Sequence, residues 1–377
     1  MPKYNGYPPS KEAVLVLADG TFVKGVGFGS TKKVSGEVVF NTGMVGYPES
    51  ITDPSYKGQI LMQTYPLIGN YGVCPDHFES DGPKIEGYVI HELCREPSHW
   101  ASKKSLDDWF VETGIPGIER VDTRMLTEKI RIYGVILGIL WVYKRGEGPD
   151  SDEILKEAKR IPDPNKIDLV AEVATKEVKT FNVNGKYNVV FIDCGVKQNS
   201  IRNMLSKNLK VTLVPPNTTA DKILDMKPDG IAVSNGPGDP KMVPYVIKTL
   251  KELTETDIPI MGICLGNQLL ALALGGDTYK LKFGHRGQNH PCIDLETEKC
   301  YITSQNHGYA VKAESLKGTG LKVTWINAND KTVEGLTHTK KPIFAVQFHP
   351  EAGPGPQDTQ FLFDRFLENM KEHVGER

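Results

Sequence analysis

The chain has 377 residues, 39% hydrophobic and 24% charged, with a formal net charge of -2. That length exceeds what one hydrophobic core usually serves, so two domains are expected. The near-neutral balance, without long basic or acidic runs, does not suggest a nucleic-acid-binding or membrane-surface role.

The first part opens with "AVLVLADGTFVKGVGFGS", two strand-like runs about an Asp19-Gly20 turn, a hairpin signal. Short strands and Gly/Pro turns continue to about Val89. Two helices follow, "KKSLDDWFVETG" and "DTRMLTEKIRIYG", the second capped by Asp122 or Thr123 and stopped by Gly134. The pattern over 1–145 is mixed α+β. Residues 146–186, polar and proline-containing, read as a connector with one short amphipathic helix.

From 187 to 377 the pattern turns regular. The strands "YNVVFIDCG", "LKVTLVPP", "PDGIAVSNGPGDP" and "IPIMGIC" alternate with the helices "QNSIRNMLSKN" and "VPYVIKTLKEL". Alternation at this spacing predicts an α/β fold, a doubly wound and mostly parallel sheet covered on both faces. Sites in such sheets form beyond the carboxyl ends of the strands. "SNGPGDP" and Cys264 both fall at such ends.

"GICLG" has the form of a nucleophile elbow with cysteine in the central place. Gly262 and Gly266 let strand and helix backbones approach, and the helix N-terminus beside Cys264 favours thiolate. The N–H of Leu265 is placed to hold an oxyanion. The same five residues also fit a buried cysteine in a tight turn. A proton carrier is supplied by "KPIFAVQFHPE", where an apolar strand ends at His349, with Glu351 placed to orient the imidazole. Alone, His-Pro-Glu equally fits a surface turn. In "SNGPGDP", Gly236 and Gly238 leave backbone N–H groups open to a ligand or an oxyanion, and the Lys-Ser/Thr of a phosphate loop is missing.

The six cysteines, at 74, 94, 194, 264, 292 and 300, form no C-x-x-C pair, and the nine histidines are dispersed. A disulfide framework and a metal site are therefore not expected, and a reducing cytoplasm is. No signal peptide is expected. The longest apolar run, "YGVILGILWVY", falls short of the roughly 20 residues of a membrane-spanning helix.

Taken together, G-x-C-x-G, the downstream H-P-E and the upstream N-G-P-G-D-P resemble the signature of class I, triad-type glutamine amidotransferases. "FNTGMVGYPESITDPSYKGQILMQTYPLIGNYG", "DTRMLTEKIR", "DCGVKQNSIR" and "FGHRGQNHP" narrow the resemblance to the glutamine-hydrolysing small subunit of carbamoyl-phosphate synthetase, from about residue 12 to about residue 370. The resemblance implies a flavodoxin-like C-terminal domain and an N-terminal domain that contacts a separate large subunit. It also implies a Cys264–His349–Glu351 triad acting through a glutamyl thioester. L-Glutamine would be held by Ser55, Gly236, Gly238, Leu265, Gln268, Asn306, Gly308 and Tyr309. No cofactor is implied in this chain; ATP and Mg2+ belong with the large subunit, which makes carbamoyl phosphate for arginine or pyrimidine synthesis.

Two residues depart from the pattern. Asn267 stands where many relatives have histidine, and Cys194 replaces an aromatic and reads as a small core residue. His307 is expected to shape the pocket or the subunit interface, and His285 to order a loop. The rival readings are a non-catalytic structural subunit of an ammonia-using complex and a free-standing γ-glutamyl peptidase.

Overall fold

The computed structural model describes residues 10–375, which form two compact units. Of the described residues, one unit comprises 10–52 together with Tyr56–Pro164; the other comprises Asp53–Ser55 with 165–375.

The first unit is a closed barrel of seven strands. They are β1 (Lys11–Leu17), β2 (Phe22–Gly29), β3 (Lys33–Asn41), β4 (Gln59–Gln63), β6 (Gly87–Val89), β8 (Pro116–Glu119) and β9 (Ile136–Lys144). The short β5 (Leu67–Ile68) and β7 (Glu92–Leu93) pair separately. Around the barrel the order is β1-β2-β8-β6-β4-β3-β9, parallel from β3 through β8 and antiparallel elsewhere. The β1–β2 hairpin closes as the Asp19-Gly20 signal implied: Gly20 has φ +100° and the Thr21 N–H donates to Asp19 Oδ1 at 2.9 Å. Gly117 is needed for interior packing, since a Cβ there would stand 2.3 Å from the Phe28 ring.

The helices of this unit are α1 (Tyr47–Thr52), α2 (Leu106–Thr113), α3 (Thr123–Tyr133) and α4 (Ser151–Ala158). The Ser105 side chain caps α2, and Asp122, rather than Thr123, caps α3. Ile154 and Ala158 of α4 bury against Val14, Val16 and Ile139 of the barrel.

The second unit carries a ten-stranded sheet. Its strands are β10 (Lys179–Phe181), β11 (Asn188–Ile192), β12 (Lys210–Val214), β13 (Gly230–Val233), β14 (Ile260–Ile263), β15 (Thr278–Asp294), β16 (Cys300–Val311), β17 (Leu321–Asn327), β18 (Val333–His338) and β19 (Ile343–Val346). The order is β10-β12-β11-β13-β14-β19-β18-β17-β15-β16. The five central strands, β12 to β19 in that order, are parallel. Alternate residues feed two separate cores. Val190, Ile192, Ile231 and Ile260 pack with α7 (Ala220–Asp225), α8 (Pro244–Leu253) and α9 (Leu265–Ala273) on one face. Val189, Phe191, Met261 and Ile263 pack with α6 (Gln198–Ser206) and α10 (Phe361–Gly375) on the other. The short α5 (Val170–Val173) adds Val170 to the first core.

Two expectations need correction. The sheet is parallel only across its centre; β10 at one edge and β18-β17-β15-β16 at the other are antiparallel. The stretch 146–186 is not one connector either. α4 packs on the barrel, whereas β10 pairs with β12 in the sheet of the other unit.

Candidate active site

The site forms where β13, β14 and β19 end side by side. β14 and β19 are parallel neighbours in the register Ile263↔Val346, so Cys264 and the segment after Val346 leave the sheet together. The Cys264 N–H donates to the Val346 carbonyl at 2.8 Å. Cys264 itself has φ +52° and ψ -99°, a conformation costly for any residue with a Cβ. The surrounding close packing enforces it: a Cβ on Gly266 would lie 2.4 Å from the Val233 carbonyl, and one on Gly262 would lie 2.8 Å from the Gly266 backbone. The turn therefore tilts a nearly buried thiol, 2% exposed, over the start of α9.

His349 and Glu351 follow β19. The His349 N–H donates to the Ser304 carbonyl at 2.9 Å, and its Nδ1 lies 2.6 Å from Glu351 Oε1. Nε2 is buried with no hydrogen-bond partner. Burial alone would depress the His349 pKa, but the charges of Glu351 and Cys264 outweigh it and raise it to about 10. For Glu351, burial would raise the pKa, but charged His349 and Lys197 bring it down to about 2.

Lys197 is one of the residues that sequence reasoning missed. It is 2% exposed, its Nζ lies 3.4 Å from Glu351 Oε1, and it donates to the Ala352 carbonyl. The Asn199 amide holds the Glu351 carbonyl. A lysine just before a helix reads as solvated; the available signal was its place in the loop that follows the carboxyl end of the buried strand β11.

The residues of the implied glutamine set fall into two groups. Ser55, Gly236, Gly238 and Leu265 surround the β13 loop. Ser55 Oγ accepts from Asn235 Nδ2 at 2.9 Å, and a Cβ on Gly236 would lie 2.2 Å from the Cys194 carbonyl. Gly238 has φ +84°, and Leu265 directly follows the thiol. Asn306, Gly308 and Tyr309 lie on β16, where the Asn306 carbonyl is 3.6 Å from Cys264 Sγ. Gln268, one turn into α9, donates to the Tyr309 carbonyl at 2.8 Å and ties the second group to the elbow.

Asp53 was also missed. Its two carboxylate oxygens accept from the Ser55 N–H at 2.9 Å and from Asn306 Nδ2 at 2.8 Å. This explains why the three residues Asp53–Ser55 associate with the second unit. The Asp-Pro-Ser run carried the signal, as an Asx turn. Cys194 is fully buried in an apolar core. Burial pushes its thiol pKa well above the ordinary range, with Asp193 adding to the effect, which suits a core residue.

Among the described residues, His285, His307 and Glu334 have ligand atoms within 4.8 Å of one another. Three of their four ring nitrogens are hydrogen-bonded, and the fourth, His285 Nδ1, has only an ion-pair contact of 3.5 Å with Glu334 Oε1. His307 meets the Tyr309 carbonyl at 2.7 Å and Gln305 Oε1 at 2.8 Å, and His285 Nε2 meets Asp330 Oδ2 at 2.8 Å. Burial lowers the His285 pKa, but bonds to Asp330 and Glu334 prevail and raise it to about 9. Burial and that charge together hold His307 neutral. The trio is a buried hydrogen-bonded network, with His285 supplying charge to two carboxylates.

A cysteine on an elbow, with an imidazole and a carboxylate following the neighbouring strand at the end of a parallel sheet, is the arrangement that thiol-dependent acyl transfer requires. Consistent with that class, residues 190–369 match the family model of class-I glutamine amidotransferases.

Residues 15–140 match the CPSase domain of the carbamoyl-phosphate synthase small chain. The carbamoyl phosphate synthase small chain of Methanocaldococcus jannaschii is 55% identical over 94% of this chain and 98% of its own length. Those of Methanopyrus kandleri and Archaeoglobus fulgidus are each 50% identical over 96% of this chain and 99% of theirs. The chain belongs to the carbamoyl phosphate synthase small chain family. The glutaminase domain of Trypanosoma brucei CTPS with bound acivicin covers 50% of this chain and 94% of its own, at 16% identity and a TM-score of 0.40, too distant to bear on the fold.

Proposed function

We propose that this chain hydrolyses L-glutamine to glutamate and ammonia, and passes the ammonia to a large subunit that makes carbamoyl phosphate from bicarbonate and ATP. The observation that carries the reading is the Cys264–His349–Glu351 constellation on a strained elbow in a chain of this family. Ser55, Asn306, Gly308, Tyr309, Gln268 and the Gly236–Gly238 loop hold the amino acid. ATP and Mg2+ act in the large subunit.

The Cys264 thiolate attacks the side-chain carboxamide carbon. The N–H groups of Leu265 and Gly236 take the developing oxyanion. Protonated His349 gives its proton from Nε2 to the departing nitrogen; the C–N bond breaks, and ammonia leaves a glutamyl thioester. His349 then takes a proton from water, whose oxygen attacks the thioester carbon. Glutamate leaves, and Cys264 regains its sulfur charge. An imidazole pKa of about 10 suits the first step, because the proton is on the ring before substrate arrives. Glu351 stabilises that charge and fixes the ring.

The test is ammonia release from glutamine by the chain alone and with its large subunit, with and without ATP and bicarbonate. Weak release that rises with the complete complex, and falls at least about a thousandfold in Cys264→Ser, supports the reading. Carbamoyl phosphate made only from added ammonia, with the wild-type chain present, would favour a structural subunit.

A further inference from the structure

Gln347 sits between the β19 strand and His349, is fully buried, and has no part in the triad. Its Nε2 lies 3.6 Å from Cys264 Sγ. We propose that Gln347 is a further catalytic residue, a side-chain amide that donates to the Cys264 sulfur and favours its thiolate. The inference deepens the glutaminase reading and rests on it only for the identity of the substrate.

The direction of this bond is set by the surroundings. The Tyr309 carbonyl can only accept, and it fixes the nitrogen of the Gln268 amide at 2.8 Å. That same nitrogen donates to Gln347 Oε1 at 3.1 Å, and Asn267 Nδ2 donates to it at 3.3 Å. A reversed Gln347 amide would set its nitrogen against the Gln268 nitrogen, which the Tyr309 carbonyl already holds as a donor. Its nitrogen must therefore point at the sulfur.

The thiol's other contact, also at 3.6 Å, is the Asn306 carbonyl, which accepts only from the protonated form. The sulfur thus stands between a donor that suits thiolate and an acceptor that suits thiol. A donor to an anion makes the stronger bond. Gln347 adds to the end of α9 in tilting the balance toward thiolate.

The charged groups facing Cys264 are few. His349 follows β19, with Glu351 and Lys197 behind it. Asp53 acts at one remove through the Asn306 side chain on β16. None of these is altered by replacing Gln347, so a change in thiol titration reports the amide.

The experiment is alkylation of Cys264 by iodoacetamide in the full chain, followed across pH by mass spectrometry of its own peptide, because exposed Cys300 also reacts. In Gln347→Leu and Gln347→Met the midpoint should rise by about one pH unit, tenfold less thiolate at a given pH. Gln347→Glu should raise it further, through a like charge beside the sulfur. kcat for glutamine should fall about tenfold in the Leu variant with KM little changed. Asn267→Ala, which removes one of the two donors holding Oε1, should move the midpoint the same way by less. It also serves if the Gln347 variants do not fold.

An unchanged midpoint in a folded Gln347→Leu, or in Asn267→Ala, would overturn the proposal. A shifted midpoint in a chain that hydrolyses no glutamine would sink the glutaminase reading and leave the role of Gln347 standing.

Discussion

The barrel and the sheet each bury a carboxylate against a cation. In the barrel unit, Glu119 is 2% exposed and pairs with Arg95, whose side chain is 40% exposed, while its other oxygen accepts from the Leu93 N–H at 3.0 Å. In the sheet unit, Glu351 is fully buried and meets Lys197 and His349, both also buried. The first acid reaches outward to a counterion that water screens, and it pins a loop. The second lies within a cluster where three ionisable groups set one another's protonation and one imidazole nitrogen is left unpaired. The difference between a clamp and a site lies in that imidazole nitrogen, left toward the Cys264 thiol, and in the burial of all three charged groups.

The sharpest way to break the contrast is to remove each carboxylate's charge. Glu351→Gln should lower glutamine hydrolysis by about a thousandfold to ten-thousandfold, as loss of the acid in comparable triads does, with KM much less affected. Stability should respond to pH in a defined window. His349 has a pKa raised from 6.5 to about 10, so its contribution is full below about 6.5 and is lost as pH rises through about 10. Glu351 has a pKa lowered from 4.5 to about 2, so its contribution is full above about 4.5 and is lost as pH falls through about 2. The stability gap between wild type and Glu351→Gln should be widest between those limits. Urea unfolding at a series of pH values reads it, and a gap constant from acid to alkaline pH would contradict the buried ion cluster.

Lys197→Met comes next. It strips one buried cation from Glu351 and should destabilise the sheet unit by about 3–5 kcal/mol, the usual cost of breaking a buried pair from one side. The His349 titration should also move up, because a neighbouring positive charge is gone while Glu351 stays ionised, and proton NMR of the ring measures it. An unaltered His349 midpoint would mean that Lys197 serves only the Ala352 carbonyl.

The same contrast explains what could be read from the sequence. The five central strands were legible because each is a short, continuous apolar run, and most of them alternate with helices of 3.6 period at the spacing of a parallel sheet. The antiparallel half was not. β15 reads "TYKLKFGHRGQNHPCID", with glycines, histidines and two register shifts against β16, and no alternation survives. The barrel hid for another reason: β2 pairs with β8, Val26 against Glu119, and no local pattern reports a contact that distant in sequence. Within the site, Cys264, His349 and Glu351 stood out as motif residues. Lys197, Asp53 and Gln347 did not, because a lysine, an aspartate before proline and a glutamine in a strand look like surface chemistry until burial is known.

The mildest test sits in the barrel. Glu119→Gln keeps the shape, weakens the bonds to Arg95 and the Leu93 N–H, and should cost about 1–3 kcal/mol with no change in glutamine hydrolysis. Lys33→Ala, which breaks the exposed pair with Glu157 on α4, should cost no more than about 1 kcal/mol. What holds α4 to the barrel is Ile154 and Ala158 against Val14, Val16 and Ile139, burial that the lysine does not touch. Ile154→Ala should therefore exceed Lys33→Ala by about 1–3 kcal/mol in denaturant unfolding. Were the two equal, the docking of α4 would be electrostatic, and the barrel's charges would matter more than their exposure implies.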